Sequence, residues 1–215
     1  MNLSNLLLTS LGISSLAFAT ACSSSKTDDN TQNSSGGVCP DIDYASYASM
    51  AQVSFKDDIM PIFGGSCTAS DCHKSPEKKA DLYLGVRCAT DTATKACTFP
   101  AQEDPNATSS NPPMPLTQKV IDDVYASLMA PSTTTPTHQR VVAGDPEHSF
   151  IIQKCAGVES EQGYTDCKNQ DPSHTANPVP CGDSMPLNSP ALCEGSSRAR
   201  FDKLAAWIAQ GAQKN

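Results

Sequence analysis

The stretch "SFKDDIMPIFGGSCTASDCHKS", residues 54–75, decides the reading of this chain. Its first half is written for a helix over 54–63. Ser54 is a good N-cap, Asp57 and Asp58 suit the positive end of the helix dipole, and Phe55, Ile59, Ile62 and Phe63 share one face. Pro61 is expected to kink or restart the helix, because proline lacks the N–H of the preceding turn. The helix runs almost directly into Cys67. Cys72 follows after four residues, and His73 comes next.

Two thiols with a histidine beside the second suit covalent haem. The thiols add to the two vinyl groups, and the imidazole is placed to meet iron on one face. The loop between the thiols holds four residues here, where the commoner form holds two. A Cys67–Cys72 disulfide is the plain alternative. A zinc site would need two more ligands, and His138, His148 and His174 are scattered along the chain.

Working outward toward the N-terminus, Leu6 to Ala21 is an uncharged run of apolar and small residues. It reads as a signal peptide over residues 1–21, although no Lys or Arg precedes it. Cys22 follows "ATA" and resembles the acylated cysteine of bacterial lipoproteins, which implies a lipid anchor. Ordinary cleavage at the same bond is the alternative. Residues 23–37, "SSSKTDDNTQNSSGG", have nothing to bury and read as a flexible tether. Residues 22–53 are therefore taken as tether and lead-in, and 54–215 as the folded domain.

The composition limits what that domain can be. Among 215 residues, 38% are hydrophobic and 6% aromatic, with 16 prolines, so the core needs staples. A net charge of −8 disfavours nucleic acid and anionic membranes as partners. Most of the ten cysteines, in an exported chain, read as disulfides or cofactor attachments.

Three more helices are predicted. Residues 117–129 carry Thr117 as cap, a stripe of Val120, Ile121, Val124, Tyr125, Leu128 and Met129, and a stop at Pro131. Residues 197–211 carry Phe201, Leu204, Ala205 and Ile208, with Trp207 beside them and Gly211 as C-cap. A short helix is predicted after Asp145 as N-cap with Pro146 at its first position. No strand pattern competes. The fold class is mainly α, with long disulfide-stapled loops and an insertion at about 87–116, where Cys88 and Cys97 would close a small loop. Cys155, Cys167, Cys181 and Cys193 allow three pairings, with Cys155–Cys167 and Cys181–Cys193 as the local option. The odd cysteine is assigned to Cys39.

Five blocks, "SFKDDIMPIFGGSCTASDCH", "ADLYLG", "VVAGDPEHSF", "CGDSMPL" and "LAAWIAQGA", come in order across residues 54–212. The pattern resembles c-type cytochromes, and most closely the planctomycete-type cytochrome c domain of exported bacterial proteins. The resemblance implies a cytochrome c-like helical domain with one haem c. Cys67 and Cys72 would form its thioethers, and His73 would be the proximal iron ligand. Met185 would be the distal ligand, with Met114 in "PPMPL" as its rival. Phe55, Ile59, Phe201, Leu204 and Trp207 would bury the macrocycle. Lys74 stands where the family often has glycine.

The expected function is a mono-haem electron-carrying lipoprotein of the bacterial cell envelope, serving envelope redox proteins and needing no small-molecule substrate. Two other readings stay open. One is a haem-free, disulfide-stapled binding or structural module on the cell surface. The other is a haem enzyme with an open distal site.

Overall fold

The computed structural model describes residues 39, 42–68, 72–74, 79–91, 94, 96–110, 112–158, 167, 181, 184–186 and 189–215. The signal segment 1–21, Cys22, the tether 23–37 and His174 lie outside the described residues. The chain is helix-rich: a 3-10 helix Tyr44–Ser49, a π-turn Phe55–Ile59 running into α1 Met60–Ser66, then α2 Gln118–Met129, α3 Phe150–Ala156 and α4 Arg198–Ala209.

The first helix follows its sequence closely. Ser54 Oγ accepts the Asp57 N–H at 3.1 Å and caps the start. Pro61 cannot donate to Asp57 O. The turn before it widens to i→i−5 bonds, Ile59 N–H to Ser54 O and Met60 N–H to Phe55 O, and α1 restarts with Pro61 in its first turn. Thr117 caps α2 by accepting from Val120 N–H at 3.3 Å. Ala130 then turns extended before Pro131, as the residue before a proline must. α4 closes with Ala212 N–H bonded back to Trp207 O at 2.9 Å, with Gly211 at φ +93° just past the cap.

Two helix boundaries need correcting. The helix after "GDP" starts at Phe150, not at Pro146. Asp145 spends its carboxylate on His148, whose N–H and ring nitrogen lie 3.1 and 2.7 Å away, so residues 145–148 form a separate turn. Ser149 then stands at the N-cap position, its hydroxyl donating back to Asp145 O at 2.8 Å. The C-cap of α4 is Gln210, one residue before the predicted Gly211. A two-residue antiparallel ladder does form, β1 Ala89–Thr90 with β2 Cys97–Thr98.

That ladder is closed by the Cys88–Cys97 disulfide, as predicted. It lies inside an excursion whose ends meet, since Met114 N–H donates to Arg87 O at 2.9 Å. The other cysteine expectations are overturned. Cys39 is paired with Cys193, and Cys167 with Cys181; among the described residues Cys67 and Cys155 are thiols. Neighbourhood in sequence favoured the local pairing, but Cys39 N–H donates to Ala156 O at 3.4 Å and Leu192 N–H to Cys155 O at 2.8 Å. Those bonds bring the start and end of the folded chain together over α3.

The core joins the first helix, α2 and α4. Phe55, Ile59, Val124, Leu128, Phe201 and Ile208 are fully buried, with Leu204 and Trp207 nearly so. Phe55 meets Tyr125 edge-on at 5.5 Å. The packed chain begins upstream of Ser54. Tyr47 is buried and its hydroxyl donates to Asp202 at 2.7 Å, while Val53 N–H donates to Gln210 Oε1 at 2.9 Å. The lead-in is thereby laid along α4.

Candidate functional site

The site forms at the C-terminal end of α1. Cys67 is the C-cap, its N–H donating to Phe63 O at 2.8 Å, and Thr68, wholly buried, donates its hydroxyl to Gly64 O at 3.0 Å. The chain then turns back on itself. His73 N–H donates to Cys67 O at 3.1 Å, so the seven-residue span from Cys67 to His73 is closed into a ring. Cys72 and His73 are both buried.

The histidine is oriented from the next segment. Its Nδ1 lies 3.2 Å from Leu82 O, and its carbonyl accepts Leu84 N–H at 2.8 Å. A backbone carbonyl at Nδ1 sets the tautomer with the proton there, which makes Nε2 the nitrogen with a lone pair for a metal.

The two cysteines differ. Cys67 is half-buried as a residue, yet burial around its thiol pushes the pKa up to about 12, only partly offset by the nearby Arg200. Arg200 reaches this end of α1 from α4, donating to Ser66 Oγ at 2.7 Å. Cys72 takes part in a disulfide while Cys67 is a free thiol. The Cys67–Cys72 bridge considered from the sequence is therefore not formed. A thioether and a disulfide at Cys72 exclude each other, so haem attachment requires Cys72 as a thiol during maturation.

The candidate distal ligands lie on different supports. Met185 is half-buried, and its N–H donates to Lys154 O on α3 at 2.8 Å. Met114 is exposed at 36%, on the returning arm of the 87–116 excursion. Phe55, Ile59, Phe201, Leu204 and Trp207, expected around a macrocycle, lie in the shared helical core.

Among the described residues no group of three or more His, Cys, Asp or Glu gathers as for a metal ion. No helix among the described residues is long and apolar enough to cross a membrane.

Two contributors carried no side-chain signal in the sequence. Leu82 acts through its carbonyl, which any residue would offer. Gly64 matters by what it lacks: a Cβ there would stand 2.8 Å from Phe99 Cζ and 3.1 Å from Val86 O, so glycine lets the excursion close over α1. Arg200 could have been suspected only by placing "SRAR" against α1. No protein-family model, curated protein or solved structure matches this chain.

Proposed function

We propose that this chain is a mono-haem c-type cytochrome lipoprotein that carries electrons in the bacterial cell envelope. The observation that carries the reading is the His73 arrangement: Nδ1 at 3.2 Å from Leu82 O, with the backbone N–H tied to Cys67 O at 3.1 Å. The same turn holds both cysteines of the motif, Cys67 as a thiol and Cys72 as a half-cystine. Cys67 and Cys72 would hold haem covalently, and His73 would bind its iron through Nε2. Met185, better shielded than Met114, would be the distal ligand. Haem supplies an iron that takes up and returns one electron. The protein contributes burial, ligand orientation and a docking surface. Cys22 would carry the lipid, and the net charge of −8 suits redox partners with basic patches.

The half-cystine state of Cys72 favours a second reading, a haem-free disulfide-stapled module at the cell surface.

One experiment separates them. The full chain is exported in a host with c-type haem maturation, then examined by intact mass and by haem-peroxidase staining on a denaturing gel. The cytochrome reading expects haem that survives denaturation and is lost in Cys67→Ser/Cys72→Ser. If a control cytochrome matures beside it while this chain keeps its apo mass, with Cys72 still in a disulfide, the stapled module replaces it.

A further inference from the structure

Between the lead-in and α3 lies a cleft that the proposed electron carrier does not use. Its volume is about 460 Å³, within the range of small-molecule sites. One wall is the lead-in at Ile42, Asp43 and Tyr44; the other is Glu147, Gln153 and Val158, on and around α3. The Cys39–Cys193 disulfide and the Cys39 N–H bond to Ala156 O hold the two walls together.

Gln153 decides what the cleft can hold. It is 3% exposed, and its Nε2 donates to the backbone carbonyl of Glu147 at 2.9 Å. The amide cannot be flipped, because that would set two acceptor oxygens against each other. Its Oε1 is buried and has no hydrogen-bond partner among the described residues. A buried acceptor left unmet loses its hydration and gains nothing in return. Gln153 lines the cleft, and with its nitrogen committed to the backbone the oxygen is the end of the amide that asks for a donor.

The rest of the lining asks for the same. Asp43 and Glu147 are exposed carboxylates at the rim, and no lining residue among those described is basic. Tyr44 is half-buried near Glu147; burial first, and that carboxylate second, raise its hydroxyl above the ordinary value, so it stays protonated. Ile42 and Val158 add apolar surface for a short aliphatic stem. Anions are repelled, and a neutral ligand leaves the charge of the rim unused.

We propose that this cleft binds an organic cation with N–H donors, an alkylammonium or alkylguanidinium group, with its head on Gln153 Oε1 and the Asp43 and Glu147 carboxylates. The group could belong to a free amine or to a lysine or arginine side chain of a partner.

The test is titration of the full chain with agmatine and with butylamine, followed by calorimetry and NMR shifts, with 1-butanol as the neutral control. Saturable one-site binding of the cations is expected. The rim variant Asp43→Asn/Glu147→Gln, whose side chains are exposed, should keep its circular dichroism and weaken binding about tenfold or more. Gln153→Leu should weaken it as well. A capped peptide with a central arginine that binds at least as well as agmatine would assign the group to a partner side chain. Agmatine binding without peptide binding would assign a free cation. No saturable binding, equal binding of butanol, or unchanged affinity in the rim variant would overturn the proposal and leave Gln153 Oε1 to a water. Haem content does not enter any of these readouts.

Discussion

The ring of Phe55 stacks on the indole of Trp207 with centroids 5.1 Å apart and planes inclined by 30°. One residue opens the first helix and the other sits in the last. Trp207 Nε1–H also donates to Gln213 O at 2.9 Å, and Phe55 N–H to Asn215 Oδ1 at 2.9 Å, so the C-terminal residues wrap the same contact. The chain is closed here by packing, with no covalent bond.

Either Phe55→Ala or Trp207→Ala should cost about 3–5 kcal/mol, because each empties a fully packed position. Urea unfolding of the two single variants and the double variant would measure it. The coupling between the rings should come to about 0.5–1.5 kcal/mol, and additivity would show that the stack contributes nothing beyond burial.

Gly64→Ala should destabilise the fold by about 1–3 kcal/mol, although alanine is the better helix former by about 1 kcal/mol. The added methyl meets Phe99 and Val86 O at 2.8 and 3.1 Å. Phe99→Ala in the same chain should recover part of the loss in a thermal melt. A stabilised Gly64→Ala would mean that the excursion does not press on α1.

Removing Cys39–Cys193 as the double serine variant should cost about 2 kcal/mol more than removing Cys88–Cys97, if chain entropy dominates. The sequence separations are 154 and 9 residues. Midpoints in urea of the two variants, compared with the parent, would check the ordering.

Lys203 on α4 reaches Asp58 in the first helix at 2.7 Å, and this bond, aided by Ser54 N–H and opposed by partial burial, holds the Asp58 carboxyl below its ordinary value of 3.8. The unfolded chain therefore binds the proton more readily. The contribution to stability is complete above about pH 4 and fades as pH falls through the folded value. It should be worth less than about 1 kcal/mol, since the pair is partly exposed and screened by salt. Asp58→Asn should flatten this part of the stability–pH curve, and an unchanged slope would remove the pair from the account.

With a thiol pKa of about 12, Cys67 in the haem-free protein should resist iodoacetamide at pH 8 and react once unfolded. Peptide mapping after labelling would report it. Rapid native labelling would show that the end of α1 opens readily.

Much of the helical layout could be read from the residues. The Ser54 and Thr117 caps and the α2 stripe stand where local chemistry placed them, because capping and amphipathic periodicity act within a few residues. Pro61 announced the break in the first helix for the same reason. The start of α3 misled, because Asp145 could equally cap a turn or a helix, and Ser149 with its hydrogen bonds to Val142 and Asp145 decided between them.

What the sequence by itself determined is the set of local elements and the grouping of Cys67, Cys72 and His73 in one short span. Only the tertiary structure decided that Cys39 meets Cys193 and that Leu82 O orients His73. It also left Gln153 Oε1 without a partner among the described residues, in the lining of a cleft. The physical reason is the range of the forces. Caps, turns and periodicity are settled between neighbours in the chain. Disulfide choice, a carbonyl aimed at an imidazole and an unmet buried acceptor depend on which distant segments the shared core brings together.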